Sequence, residues 1–367
     1  MKARDWKAAL VGLCCALIAA GYCATEAQAK AKVSAKIPIP HAATSRDKVV
    51  PAPKEVHAKL RPLKEDRAEL IPFDMSPFPY DGATPGEGAF INVIANGRRG
   101  HMSRGGTYWE DTTYSDRRVL LYLPKGFDIR KPAVMVVFFH GNGAILDRDI
   151  INRQQVPRQV LQSGLNAILV APQFAVDAFD SSAGSFWQPG TFRQFLDEAT
   201  VRLIDLYGDE RSRKVFATMP VILVAYSGGY QPAAYVLAGG GADERIKGVF
   251  MLDALYGEID KFADWITRRR DAFFVSTYTG SSQGGNASLR RILSERQVPT
   301  LGTLGARIGK GSVMFVAGQP DAIHWDFVTH AFADDPIKEV LLRVNEFAHK
   351  PGAVKSAYKP QVAQQQQ

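Results

Sequence analysis

The apolar positions of the chain follow two periods in alternation. Short, nearly continuous apolar runs occur as R-V-L-L-Y-L at 118–123, A-V-M-V-V-F-F at 133–139, N-A-I-L-V at 166–170 and V-I-L-V-A at 221–225. They continue as I-K-G-V-F-M-L at 246–252, A-F-F-V-S at 272–276 and S-V-M-F-V at 312–316. Runs of this kind, apolar on both faces, are predicted strands covered on both sides. Between them the spacing becomes helical. In residues 191–208 the apolar positions Phe192, Phe195, Leu196, Ala199, Leu203 and Leu206 share one helical face, and Gly208 stops it. Residues 231–238, 258–269, 287–295 and 336–349 are predicted helices on the same grounds. Strands alternating with helices imply an α/β fold, a mainly parallel central sheet with helices on both faces. In such sheets, sites form at the carboxyl ends of the strands.

The ends of the chain have other patterns. Residues 1–29 combine a basic start (Lys2, Arg4, Lys7), an apolar run at 8–20 and A-Q-A at 27–29. That is the arrangement of a cleaved secretory signal peptide, and the apolar run is short for a membrane span, which needs about 20 apolar residues. The expected location is periplasmic or secreted, with no stable membrane span after cleavage. Residues 30–70 are rich in Ala, Lys and Pro without a sustained apolar period, and are expected to form a flexible tether. Residues 351–367 end in a glutamine run and are expected to be a disordered tail. Residues 71–350 remain as one large domain.

Composition narrows the chemistry. All three cysteines (Cys14, Cys15, Cys23) lie in the expected signal peptide, so the mature chain has no disulfide, thiolate metal site or cysteine nucleophile. The formal charge is +8, and the first 29 residues carry three positive and two negative side chains, which leaves about +7 after cleavage. The positive charge is not gathered into a dense basic run interleaved with aromatics, which argues against nucleic acid as a partner. No metal-binding motif is present, and no cofactor is expected. G-A-R-I-G-K-G-S at 305–312 fails as a phosphate loop, because Leu304 stands where the early glycine belongs and Gly311 follows Lys310.

The chemistry gathers at strand ends. Ser227 follows the 221–225 run in A-Y-S-G-G and directly precedes a helix. A tight strand-to-helix turn needs small residues two before and two after the serine, and Ala225 and Gly229 meet that need. The run at 133–139 ends in H-G-N-G, where glycine lets backbone amides approach a developing oxyanion. The Asn142 and Gly228 amides are the predicted pair, and His140 is expected to be structural. A serine nucleophile needs a base. His324 lies on the loop after the last strand; His330, six residues on, is the rival and is expected to be half-buried and structural. The base needs an orienting carboxylate. Residues 277–286 after the penultimate strand contain none, whereas Asp253 ends the strand before it; Asp321 is the alternative. Phe186 and Trp187 either wall a pocket or tuck onto the core.

H-G-N-G, A-Y-S-G-G, L-D-A-L-Y-G and H-W-D-F-V therefore occur in the order oxyanion loop, serine, acid, histidine. From residue 118 to 349 the chain resembles the α/β-hydrolase superfamily, and R-V-L-L-Y-L-P-K-G-F resembles its esterase and polyester-depolymerase branch. Two departures from the pattern are Ala225 in place of the first motif glycine and an acid one strand early. The resemblance implies a serine hydrolase acting on a small-molecule or polymeric ester or amide. The competing expectations are a non-catalytic envelope-binding protein on the same scaffold and a peptidase of the same fold.

Overall fold

The computed structural model describes residues 60–350. The expected signal peptide with its cysteines, most of the expected tether, and the expected tail lie outside the described residues. Eight strands form the main sheet: β1 (Arg67–Pro72), β5 (Arg118–Leu123), β6 (Val134–Phe139), β7 (Ala167–Pro172), β8 (Val221–Tyr226), β9 (Ile246–Leu252), β10 (Phe273–Tyr278) and β11 (Val313–Ala317). Their order is β1-β5-β7-β6-β8-β9-β10-β11. β5 runs antiparallel to both β1 and β7, and every other pairing is parallel. β2 (Val93–Ala95), β3 (Arg98–Ser103) and β4 (Gly106–Trp109) make a separate antiparallel sheet.

The strands from β6 to β9 are buried over almost their whole length, as their unbroken apolar runs require. Alternate side chains feed two cores. Met135, Val137, Phe139 and Leu223 face one side with Phe192, Phe195, Leu196 and Leu203 of the helix Thr191–Tyr207. Val136, Phe138, Ile222 and Val224 face the other with Val156, Val160, Val340 and Leu341, from the helices Val156–Gln162 and Pro336–Arg343. This is a three-layer α/β architecture.

Some expectations require correction. Arg67–Pro72 is a strand, although residues 67–70 fall inside the expected tether, and Leu63 before it is already buried. Its six residues pair with β5, and that pairing with a distant segment creates the strand. The last helix stops at Arg343, six residues short of the expected end. Phe186 and Trp187 are buried in the aromatic core, where Phe186 packs on Phe139, Phe192 and Phe195. Of their two expected places, this is the second, tucked onto the core.

Candidate active site

Register at the centre of the sheet brings the predicted residues together. β6 and β9 flank β8, with Phe139 paired to Ala225 and Tyr226 paired to Leu252. The next residues along these strands are His140, Ser227 and Asp253, which therefore emerge side by side at one carboxyl edge. Adjacent strands lie about 4.8 Å apart, within reach of one side chain.

Ser227 occupies the turn between β8 and the helix Tyr230–Gly239, with φ at 51°. A left-handed backbone at a non-glycine residue is strained, and the surrounding packing must hold it. Glycine at 229 is required there, since a Cβ would come within 2.5 Å of the Phe139 carbonyl oxygen. Glycine at 141 is required too, since a Cβ would lie 2.7 Å from the Ser227 Cβ. At 228 a Cβ would collide with the Asn142 side chain. The loop after β6 and the turn after β8 are thus in backbone contact. Ala225 is fully buried inside β8, and its methyl group is accommodated in place of the motif glycine.

His324 begins the short turn His324–Val328. Its ring links two partners: Nε2 is 2.7 Å from Ser227 Oγ, and Nδ1 is 2.6 Å from Asp253 Oδ2. An ionised carboxylate only accepts, so Nδ1 carries the proton, and Nε2 accepts from the serine hydroxyl. Asp253 is fully buried. Burial alone would raise its pKa, but donors outweigh it and hold the carboxyl well below the usual range: His324, the Ser282 and Ser281 hydroxyls, and the Thr279 amide. The Thr279 amide donates over 2.9 Å to Oδ1, and the Ser281 hydroxyl over 2.8 Å to Oδ2. Ser282 Oγ also donates to Oδ1.

These donors come from the segment after β10 that lacks any acid. The hydroxyl cluster T-Y-T-G-S-S at the end of β10 is the sequence signal for this donor set. Tyr256 is not among the predicted residues. Its hydroxyl lies 3.3 Å from Asp253 Oδ2 and 3.2 Å from His324 Nδ1.

The remaining predicted residues are placed as follows. Asn142 and Gly228 face each other beside Ser227, and the Ser181 hydroxyl donates to Asn142 Oδ1 over 3.1 Å. The Asn142 backbone amide has no hydrogen-bond partner among the described residues. His140 is buried: Nδ1 donates to the Gly141 carbonyl over 2.8 Å, and Nε2 accepts from the Phe174 amide over 2.8 Å. Burial lowers its pKa to about 4. Asp321 is exposed and is not a partner of the imidazole. His330, expected to be half-buried, is exposed instead, with its ring on Asp326 and Thr329. It lies just past the short turn and points outward, between the buried Val328 and Ala331.

Among the described residues, no group of three or more His, Cys, Asp or Glu is arranged to hold a metal, and no helix is long and apolar enough to cross a membrane.

The strand order, the antiparallel start of the sheet and the serine turn after β8 define the α/β-hydrolase fold. No family model and no curated protein sequence matches the chain. Solved structures match it at low identity. The feruloyl esterase module from Clostridium thermocellum, complexed with sinapinate, is 14% identical over 79% of this chain and 99% of its own, with a TM-score of 0.40. An S-formylglutathione hydrolase from Agrobacterium tumefaciens is 13% identical over 69% of this chain and 98% of its own, with a TM-score of 0.40. A cold-adapted esterase from an Arctic intertidal metagenomic library is 12% identical over 76% and 94%, with a TM-score of 0.34.

Proposed function

We propose that the protein is an exported serine hydrolase that cleaves a carboxylic ester through an acyl-enzyme. One observation carries this reading: a single imidazole bonded at 2.7 Å to Ser227 Oγ and at 2.6 Å to the buried Asp253 carboxylate. Ser227 Oγ attacks the ester carbonyl carbon as its proton passes to His324 Nε2. The carbonyl oxygen becomes an oxyanion that accepts from the Asn142 and Gly228 backbone amides. The C–O bond then breaks, and the leaving alkoxide takes the proton from Nε2. Water enters, gives its proton to Nε2 and attacks the acyl carbon, and Ser227 is released by the reverse transfer. Asp253 stays ionised and offsets the charge of the imidazolium. Its depressed pKa supports that role, since a carboxyl held ionised cannot compete for the proton. Amides share this chemistry, and a panel of ester and peptide substrates separates an esterase from a peptidase.

The decisive experiment is labelling of the purified protein with a fluorophosphonate and mapping of the adduct. The expected adduct is on Ser227 and is absent from His324→Ala. Absence of labelling together with absence of ester turnover would instead favour the non-catalytic envelope-binding protein. Export is tested separately. The basic, apolar and small-residue order of residues 1–29 supports cleavage before Lys30. Amino-terminal sequencing of the envelope fraction is expected to start there, and an intact Met1 would refute export by cleavage.

A further inference from the structure

We propose that Tyr226 and Tyr256 are positioning residues that clamp the His324 imidazole between them, each borne by the segment that supplies one of its two partners. The proposal rests on the serine hydrolase reading above and adds residues to it.

The need for a clamp follows from where His324 sits. It opens a five-residue 3-10 turn, and its neighbours Ile323 and Trp325 are 59% and 51% exposed. Phe327 and Val328 anchor the far end of the turn in the core, but a side chain at its exposed start keeps rotamer freedom, and ordering it costs conformational entropy. Yet the ring must satisfy two hydrogen bonds at once, to groups on two different strands. Something other than its own backbone has to hold it.

Two rings do so. Tyr226 stacks on the imidazole with centroids 5.1 Å apart and planes 21° apart, and its hydroxyl donates to the His324 carbonyl over 3.2 Å. The phenol thus fixes both the ring and the backbone of the same residue. Tyr226 is buried, and glycine at 141 makes room for it, since a Cβ there would lie 3.0 Å from its Cδ1. On another side Tyr256 meets the imidazole edge-on, with centroids 6.0 Å apart at 75°, and its hydroxyl lies 2.9 Å from Ser281 Oγ.

Chain position gives the arrangement its purpose. Tyr226 immediately precedes Ser227, and Tyr256 is three residues past Asp253. A displacement of the nucleophile's turn or of the acid's loop therefore carries one wall of the clamp with it. The base stays in register with both partners, which is the condition for a near-attack geometry. Tyr256 is 43% exposed, so its ring is not retained to fill the core.

The test uses the full-length protein and the variants Tyr226→Phe, Tyr226→Leu and Tyr256→Leu. Three quantities are measured: kcat and KM on a soluble ester, the melting temperature, and the low-field proton resonance of the Nδ1–H bonded to Asp253. Both leucine variants are expected to lose on the order of 10–100-fold in kcat. KM should be nearly unchanged, and the low-field resonance broadened or lost. Tyr226→Phe, which keeps the stack, is expected to recover most of kcat and the resonance. An unchanged kcat and a sharp resonance in the folded leucine variants would overturn the proposal, and so would a loss confined to KM. If Tyr226→Leu does not fold, the half-exposed Tyr256 decides. Wild-type protein that neither labels at Ser227 nor turns over ester fails the hydrolase reading, whereas the resonance still judges the clamp.

Discussion

Two single residues determine how the site responds to chemistry and to pH. Asp253 accepts from five groups besides the imidazole itself, and in the proposed reaction it fixes the proton on Nδ1. Asp253→Asn keeps the side-chain shape but turns one accepting oxygen into a donor, which favours the wrong imidazole tautomer, a change that costs about 10⁴ in turnover in a serine protease of another fold. The expected result is a folded protein with most ester hydrolysis lost, while Asp321→Asn is near normal. Turnover assays with thermal melting of both variants check this. His140 supplies the pH response. Its folded pKa of about 4 lies below the unfolded value of about 6.5. As pH falls through that interval the unfolded state binds the proton first, so stability falls. Its contribution is complete above pH 6.5 and is lost as pH approaches 4. The shift corresponds to about 3 kcal/mol. The melting temperature is expected to drop over this window, and His140→Gln, though less stable at pH 7, should lack that part of the drop.

At the scale of elements, a buried amide helps tie the turn that carries His324 to the rest of the fold. Gln159, on the helix Val156–Gln162, donates to the Val328 carbonyl over 2.6 Å and accepts from the Ile337 amide over 2.9 Å. It therefore joins the end of the histidine turn to the start of the helix Pro336–Arg343. Gln159→Leu keeps the approximate volume and leaves both backbone groups buried without that partner, each costing about 1–3 kcal/mol. A lower melting temperature is expected together with a fall in kcat, because the base segment loosens. Sequence alone did not point to Gln159, since a single glutamine in a helix does not reveal which distant carbonyl it meets. The same holds for β2 to β4, short strands with no apolar alternation to read.

The whole molecule adds the antiparallel edge. β1 covers β5 from Arg67 to Pro72, and it closes the hydrogen-bonding edge of a long apolar strand. A bare edge of this kind is a template for aggregation. A chain begun at residue 73 is therefore expected to aggregate on heating or in expression, whereas a chain begun at residue 60 should stay monodisperse. Size-exclusion chromatography with light scattering checks the pair. Equal behaviour of the two would mean that β1 contributes little to the sheet.

The sequence by itself determined the elements whose signal is local. The buried runs that became β5 to β11 and the helix Thr191–Tyr207 were legible because full burial demands unbroken apolar strands and helical packing demands one apolar face. The positions of Ser227, Asn142, Gly228 and Asp253 at or just past strand ends, and of His324 on the loop after the last strand, were legible for the same reason, since strand ends and their loops follow from strands. Tertiary structure alone decided which of these ends meet. The order that sets β6 and β9 on either side of β8 is a matter of long-range pairing, and it explains how an acid one strand early reaches the imidazole. It also decided that a segment without carboxylates would supply hydroxyls to Asp253, that two tyrosines would flank His324, and that residues 67–72 would become a strand. Each of these depends on partners far away in the chain, and no local period encodes them.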